Sequence, residues 1–272
     1  MTPISILSRG HELTNPVSPI EWAMVLTCDV GNSFIHFGLF KDRKLVEQTM
    51  FATREPITPD ECFLMVKEIL ASETPAGMVI GSVVPNVTPP LVAMAGERFS
   101  LAPVVVSSRV KTGLQIRYRD AGTIGADRIA NAVAAWTEYK KDTVVVDFGT
   151  ATSYDVVTKD GEYLGGVIVP GIGISLEALV KKTAKLFKVE VVVPKHYIGQ
   201  NTEECIQSGI FYSTVGQIET IVKGIEAETG RTFMVIATGG AASVFGPHIP
   251  RIAKVDPTLT LKGLLEIYFL NR

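Results

Sequence analysis

Val144-Val145-Val146-Asp147-Phe148-Gly149-Thr150-Ala151-Thr152 is an apolar run that closes on an acid, turns at a glycine and resumes in small, hydroxyl-bearing residues. The same order opens at Val25, where an apolar run leads into Asp29-Val30-Gly31-Asn32-Ser33. Both copies continue alike, with a second apolar stretch (Phe34 to Phe40; Ser153 to Thr158), a polar turn (Lys41-Asp42-Arg43; Lys159-Asp160-Gly161) and a third stretch (Leu45 to Thr53; Tyr163 to Val169). Short apolar runs bounded by such turns read as strands joined in antiparallel hairpins. A long pattern met twice marks an internal duplication.

After each meander the pattern changes. In the first half, helices are expected near Pro59 to Ala71, Pro90 to Phe99 and Gly125 to Tyr139, with strands from Met78 to Val84 and Val104 to Ser107. In the second, helices near Ser175 to Lys185, Glu203 to Glu228 and Leu261 to Phe269 surround a strand from Phe233 to Thr238. A meander followed by strand-helix alternation gives a mixed sheet with parallel crossovers and helices on its faces. The chain thus reads as α/β in two lobes, residues 24–140 and 141–272. Residues 1–23, with Arg9, His11, Glu12, Asn15 and three prolines, lack a signal-peptide core and read as a loose tail, and Met24 suits a native start.

Composition removes several classes. The net charge is −2 with Lys and Arg scattered, so nucleic acid is not an expected partner. Cys28, Cys62 and Cys205 stand far apart and no His-Glu-x-x-His spacing occurs, which argues against a disulfide scaffold or zinc site and for a reducing cytoplasm. No apolar run is long enough to span a bilayer. An apolar content of 46% and a mean hydropathy of +0.27 fit sheets covered on both faces, or a dimer interface.

In the two Asp-x-Gly turns, a glycine with unusual backbone angles would aim the following amides and hydroxyls at a common guest, for which phosphate oxygens are suited. Asp29 closes a buried strand, where a carboxylate needs a cation or several donors, and a hydrated Mg2+ on ATP would compensate it. Either turn alone is an ordinary hairpin; the repetition points to a polyphosphate clamped from both sides. Thr238-Gly239-Gly240-Ala241 follows an apolar strand and would let the backbone approach a flat ring such as adenine. Gly125-Ala126-Asp127-Arg128 opens a helix with an apolar stripe of Ile129, Val133 and Trp136, so Asp127 reads either as a dipole partner in the first turn or as a carboxylate accepting a hydroxyl proton. Arg128 beside it could fix an acidic acceptor. Tyr118 and Thr202 are candidate hydrogen-bond donors, Thr202 reading by default as a helix N-cap before Glu203 and Glu204. The last long helix, striped by Ile206, Ile210, Tyr212, Val215, Ile218 and Ile221, suits core or a dimer seam.

Together these segments resemble the type III pantothenate kinases, bacterial enzymes that begin coenzyme A synthesis on the duplicated ribonuclease H-like fold of the acetate kinase, hexokinase and actin superfamily. The resemblance runs in register from Met24 to Tyr268 and includes Gly81-Ser82-Val83-Val84-Pro85, Lys111-Thr112-Gly113-Leu114 and Gly165-Gly166-Val167-Ile168-Val169-Pro170-Gly171 beside the turns already quoted. It implies that Asp127 is the proton acceptor and that Tyr118, Gly125, Ala126, Asp127, Arg128 and Thr202 bind pantothenate. It further implies that Asp29, Val30, Gly31, Asn32, Ser33, Phe34, Ile35 and His36, with Thr150, contact ATP. Asp147 would then hold a monovalent cation, K+ or NH4+, and the protein would be a homodimer with its substrate pocket at the subunit interface. Ser33 stands where the family usually has Thr, Asp120-Ala121-Gly122 replaces a common Asn-Pro, and Phe187 follows Lys185-Leu186 where Pro is usual. The alternatives are a non-catalytic nucleotide-binding regulator on the same fold, for which Asp127 and Arg128 would be dispensable, and a sugar or acetate kinase with a different acceptor pocket.

Overall fold

The computed structural model describes residues 24–107 and 109–272; the tail expected over 1–23 lies outside the described residues. Continuous apolar runs make β1 (Val25–Val30) a buried central strand, and β2 (Phe34–Lys41) and β3 (Lys44–Ala52) pair onto it as an antiparallel meander. α1 (Pro59–Leu70) begins with a reciprocal cap: Thr58 Oγ1 accepts from the Glu61 amide while the Glu61 carboxylate accepts from the Thr58 amide. β4 (Gly77–Ser82) returns parallel to β1, and α2 (Thr88–Phe99) carries Pro89 in its first turn, where no backbone donor is needed. The two-residue β5 (Val104–Val105) completes the order β3-β2-β1-β4-β5.

β6 (Gln115–Ile116) and α3 (Ala126–Tyr139) lead into the second copy. β7 (Thr143–Phe148), β8 (Ala151–Val157) and β9 (Glu162–Pro170) repeat the meander, followed by α4 (Ile172–Lys182), the long α5 (Thr202–Thr229), and β10 (Met234–Thr238) parallel to β7. α6 (Ala242–Phe245), β11 (Lys254–Val255) and α7 (Leu259–Leu270) finish the chain. The second sheet runs β11-β10-β7-β8-β9-β6, which is the first order again with β6 added beyond the meander. The fold is therefore the expected duplicated α/β architecture.

The core has three layers. Leu26, Cys28, Phe37 and Ile80 are buried under α1 and α2; Val144, Val146, Tyr154 and Phe245 are buried with α5 and α6. Between the sheets lie α3, packed on β7 and β8, and α7, packed on β1 and β4. These helices approach so closely that a Cβ on Gly263 would collide with the Ala130 carbonyl. That contact corrects the reading of α3 as striped: Arg128 through Ala135 are all buried, because the helix is covered on every side.

Other differences are local. α4 starts at Ile172 rather than Ser175, since Gly171 caps it directly after β9. The strand expected over Val104 to Ser107 shrinks to two residues, and β6, β11 and α6 were not expected at all. Two-residue strands and single helical turns leave no periodicity to read. Thr202 does not cap α5; Asn201 does, its side chain accepting from the Glu204 amide.

Candidate active site

The two Asp-x-Gly turns sit at the ends of the central strands of their sheets. β1 and β7 share one burial sequence, four residues buried, one half-buried, one buried, and the half-buried residue is Asp29 in one and Asp147 in the other. The Gly31 amide donates to the Phe34 carbonyl at 2.9 Å, and Thr53 Oγ1 donates to the Gly31 carbonyl at 2.7 Å, which fixes the first turn. The turns face one another: Ser33 Oγ and Thr150 Oγ1 are 2.8 Å apart although 117 residues separate them.

Unusual backbone angles are not what the turn glycines provide. Positive φ occurs at neither Gly31 nor Gly149; a Cβ there would press to 3.3 Å on the Phe34 carbonyl and 3.2 Å on the Ala151 carbonyl. Lack of space selects glycine at both. The left-handed glycine of the site is Gly239, with φ 87°, and a Cβ on it would collide with Asp147 Oδ1.

Between the turns opens a cleft of about 1460 Å3, walled on one side by Asp29, Ser33 and His36 and on the other by Asp147, Thr150 and Gly239. Its floor is acidic. Burial, then Asp127 and Asp147, push Asp29 well above the usual carboxylate range. Burial, then Asp127, push Asp147 up to about 7, while a hydrogen bond from Asn131 Nδ2 to Asp147 Oδ2 at 2.8 Å works the other way. Mutually repelling carboxylates of this kind are a receptor for cations. Among the described residues no three His, Cys, Asp or Glu side chains are grouped as an ion cage. An ion here would therefore complete its shell with water and phosphate oxygens, as Mg2+ on a nucleotide does.

Asp127 comes from the first turn of α3. Its Oδ1 accepts from the Arg128 amide at 2.8 Å, so one oxygen is pinned to the positive end of the helix and Oδ2 is left for another partner. A Cβ on the capping residue, Gly125, would collide with that pinned oxygen. Burial raises the Asp127 pKa, and the Arg128 amide opposes the rise. The Arg128 guanidinium, whose charge also opposes the rise at Asp127, is held by Asp155: its Nε donates to Asp155 Oδ1 at 2.8 Å.

Of the residues singled out in the sequence, Asp29, Gly31, Asn32, Ser33, Phe34 and His36 meet Gly125, Asp127, Arg128, Asp147 and Thr150 around this one cleft. The side chains of Val30, Ile35 and Ala126 are buried in the core, leaving only their backbone for a ligand. His36 is held by Gln48 at 3.1 Å. Tyr118 stands apart from the cleft wall, its ring 3.4 Å from where a Cβ on Gly165 would lie and 6.3 Å from the ring of Tyr163. Thr202 is exposed at the start of α5, also away from the wall. Asp155 and Asn131 went unread, because a lone polar residue in a strand or helix carries no local signal until the fold shows what it touches.

Two halves that repeat one five-strand order, with an acidic cleft between them, define the fold class first, the duplicated actin-like fold. A conserved Campylobacter jejuni protein described as a Baf family transcriptional activator shares the fold at TM-score 0.57, with 20% identity over 89% of this chain and 96% of its own. A ROK family protein from Streptococcus pneumoniae shares it at TM-score 0.51, with 10% identity over 90% of this chain and 98% of its own. In sequence, the type III pantothenate kinase family model matches residues 25–224. Type III pantothenate kinases from Moorella thermoacetica and Pelobacter propionicus are each 42% identical, over 91% and 92% of this chain and 100% of their own lengths. The chain belongs to the type III pantothenate kinase family.

Proposed function

We propose that this chain transfers the γ-phosphoryl group of ATP to the primary hydroxyl of pantothenate, giving 4'-phosphopantothenate, the first step of coenzyme A biosynthesis. The observation that carries the reading is the placement of Asp127, which lines the cleft with one oxygen left over from the Arg128 amide, beside two Asp-x-Gly turns that meet at Ser33 and Thr150. Because the transition state of phosphoryl transfer is loose, Asp127 acts chiefly by orienting the acceptor hydroxyl and taking its proton late. Backbone amides and hydroxyls of the turns hold the β- and γ-phosphates. Mg2+ on the side of Asp29 and K+ or NH4+ on the side of Asp147 supply the positive charge that these carboxylates and the phosphates require.

Arg128 supplies the contact to the pantothenate carboxylate. Tyr118 and Thr202 complete the acceptor pocket in a homodimer, where it is built at the subunit interface. The dimer reading is supported by exposed Tyr197 and Ile198, the former stacked on Tyr212 of α5 with centroids 3.5 Å apart. Among the described residues no helix is long and apolar enough to cross a membrane. We place the enzyme in the cytoplasm, with residues 24–140 and 141–272 as its lobes, the first lending β6 to the second sheet and the second lending α7 to the first.

The test is to incubate the purified chain with ATP, Mg2+, pantothenate and either K+ or Na+, and to look for phosphopantothenate by mass. Product formed faster in K+ than in Na+ is expected. No product in any salt, from folded protein, would overturn the assignment.

A further inference from the structure

Asp155 stands in the middle of β8, wholly buried, opposite Val145 on one neighbouring strand and Gly166 on the other. Folding does not call for a carboxylate there: it sits between Tyr154 and Val156 in a buried strand, and a buried ion pair is weak support for stability. Yet it is fully engaged. Asp155 Oδ1 accepts from Arg128 Nε at 2.8 Å and from the Tyr163 hydroxyl at 2.7 Å, and Oδ2 accepts from Ser153 Oγ at 3.0 Å.

Arg128, by contrast, is not fully engaged. Its side chain is 9% exposed, and its Nη2 is buried with no hydrogen-bond partner among the described residues. The tip of the guanidinium lies over Gly166, where a Cβ would approach Nη2 to 2.9 Å and collide with the Tyr154 carbonyl. β9 packs Gly165 and Gly166 closely at this point, with the Tyr118 ring against Gly165 and near enough to the guanidinium to favour its charged form. An unsatisfied buried guanidinium N–H is costly, and the cost is removed when a ligand oxygen arrives.

We infer that Asp155 is a positioning residue for the acceptor: it clamps Arg128 through Nε so that the unused Nη edge of the guanidinium is presented to the acceptor's carboxylate. The inference rests on the assignment of Arg128 to pantothenate made above. Two physical consequences support it. Arginine is long and flexible, and fixing it in advance removes the ordering cost from the binding step. Asp155 also keeps the guanidinium from folding onto the adjacent Asp127, whose free oxygen is needed for the acceptor hydroxyl. With Asp155 sharing the charge, recognition depends on the planar geometry of a carboxylate rather than on net charge alone.

The experiment is a double-mutant cycle on the full chain, reading KM for pantothenate, KM for ATP and kcat for wild type, Asp155→Asn, Arg128→Ala and the double variant. Asp155→Asn is expected to raise the pantothenate KM about 10- to 100-fold, with the ATP KM unchanged, and to add nothing in the Arg128→Ala background. An equal penalty in both backgrounds, or a matching rise in the ATP KM, would mean that Asp155 serves the fold and would overturn the inference. If Arg128→Ala leaves the pantothenate KM unchanged, the underlying assignment of Arg128 fails, and the inference falls with it. Should Asp155→Asn not fold, Tyr163→Phe removes one donor to Asp155 without touching charge. It is expected to raise the pantothenate KM about 3- to 10-fold only when Arg128 is present; no change would overturn the proposal.

Discussion

The turns at Asp29 and Asp147 occupy the same place in the same strand order, with the same burial around them, yet their surroundings have diverged. Counted from the first residue of α3 and of α7, Asn131 and Leu264 hold the same position. Asn131 donates to Asp147 and in turn accepts from Thr260 Oγ1 at 2.8 Å, so the second carboxylate has a fixed polar partner. Leu264 instead packs on Gly81, the register partner of Asp29, and gives that carboxylate nothing polar. Duplication supplied two equivalent acids. A single helix position gave one of them a fixed polar partner and left the other with an apolar neighbour.

Asp127 lies between the two and bears on both, since its charge raises each. If it were merely a third acid of a symmetric cation cage, neutralising it would weaken nucleotide binding and turnover together. As an acceptor base it should act on turnover alone. Asp127→Asn is therefore expected to lower kcat by about 10²- to 10⁴-fold while the ATP dissociation constant, measured by calorimetry, stays put. A parallel loss of ATP affinity would break the comparison.

This divergence of the two halves was only partly legible in the sequence. The paired apolar runs, each closing on Asp-x-Gly, gave the duplication, because strand ends and tight turns are local signals. The Gly125-Ala126-Asp127-Arg128 segment was legible as a helix start for the same reason. What the sequence could not show was partnership: Asn131 with Asp147, Arg128 with Asp155, and Gly239 making room for Asp147 Oδ1 each join distant segments. The glycines of the turns were also read for the wrong property, conformational freedom in place of lack of room. Composition suggested buried sheets, but not that α3 would be covered on every side.

Asp147 offers the next largest effect, in stability. Its folded-state pKa is pushed up to about 7 from an ordinary 3.8. Between those values the native state holds a proton that the unfolded chain has released, so this contribution to stability is fully present below the lower value and is lost as pH rises through the upper one. Asp147→Asn should thus stabilise the ligand-free protein by about 1–3 kcal/mol at pH 8, and not at all near pH 4. Urea unfolding in tetramethylammonium buffer, free of K+, measures it. Asp29→Asn should show the same sign. A gain independent of pH would mean that neither carboxylate is crowded as described.

Asn131→Leu copies the first half into the second. Losing the donor removes what holds the Asp147 carboxylate ionised and aimed, so the K+ concentration for half-maximal activity should rise about 3- to 10-fold with the Mg-ATP KM unaltered. If instead the Mg-ATP KM rises and the K+ response does not, the two ions have been assigned to the wrong turns.

The smallest effect comes from the contact that joins the halves. Ser33 Oγ and Thr150 Oγ1 bond to each other across an exposed gap, and each is proposed as a donor to phosphate. These roles predict opposite arithmetic. As partners of one another, the two hydroxyls stabilise the ligand-free chain through one shared bond, so Ser33→Ala, Thr150→Ala and the double variant should lower stability by the same ~0.5 kcal/mol. As donors to phosphate they act on separate oxygens, so each single change should raise the ATP KM about two- to threefold and the double variant should multiply the two. Additive loss of stability with a single, shared loss of ATP affinity would reverse that reading. The hydroxyls would then be structural pegs within their own lobes, and the symmetry of the turns would be an inheritance without a function in nucleotide binding.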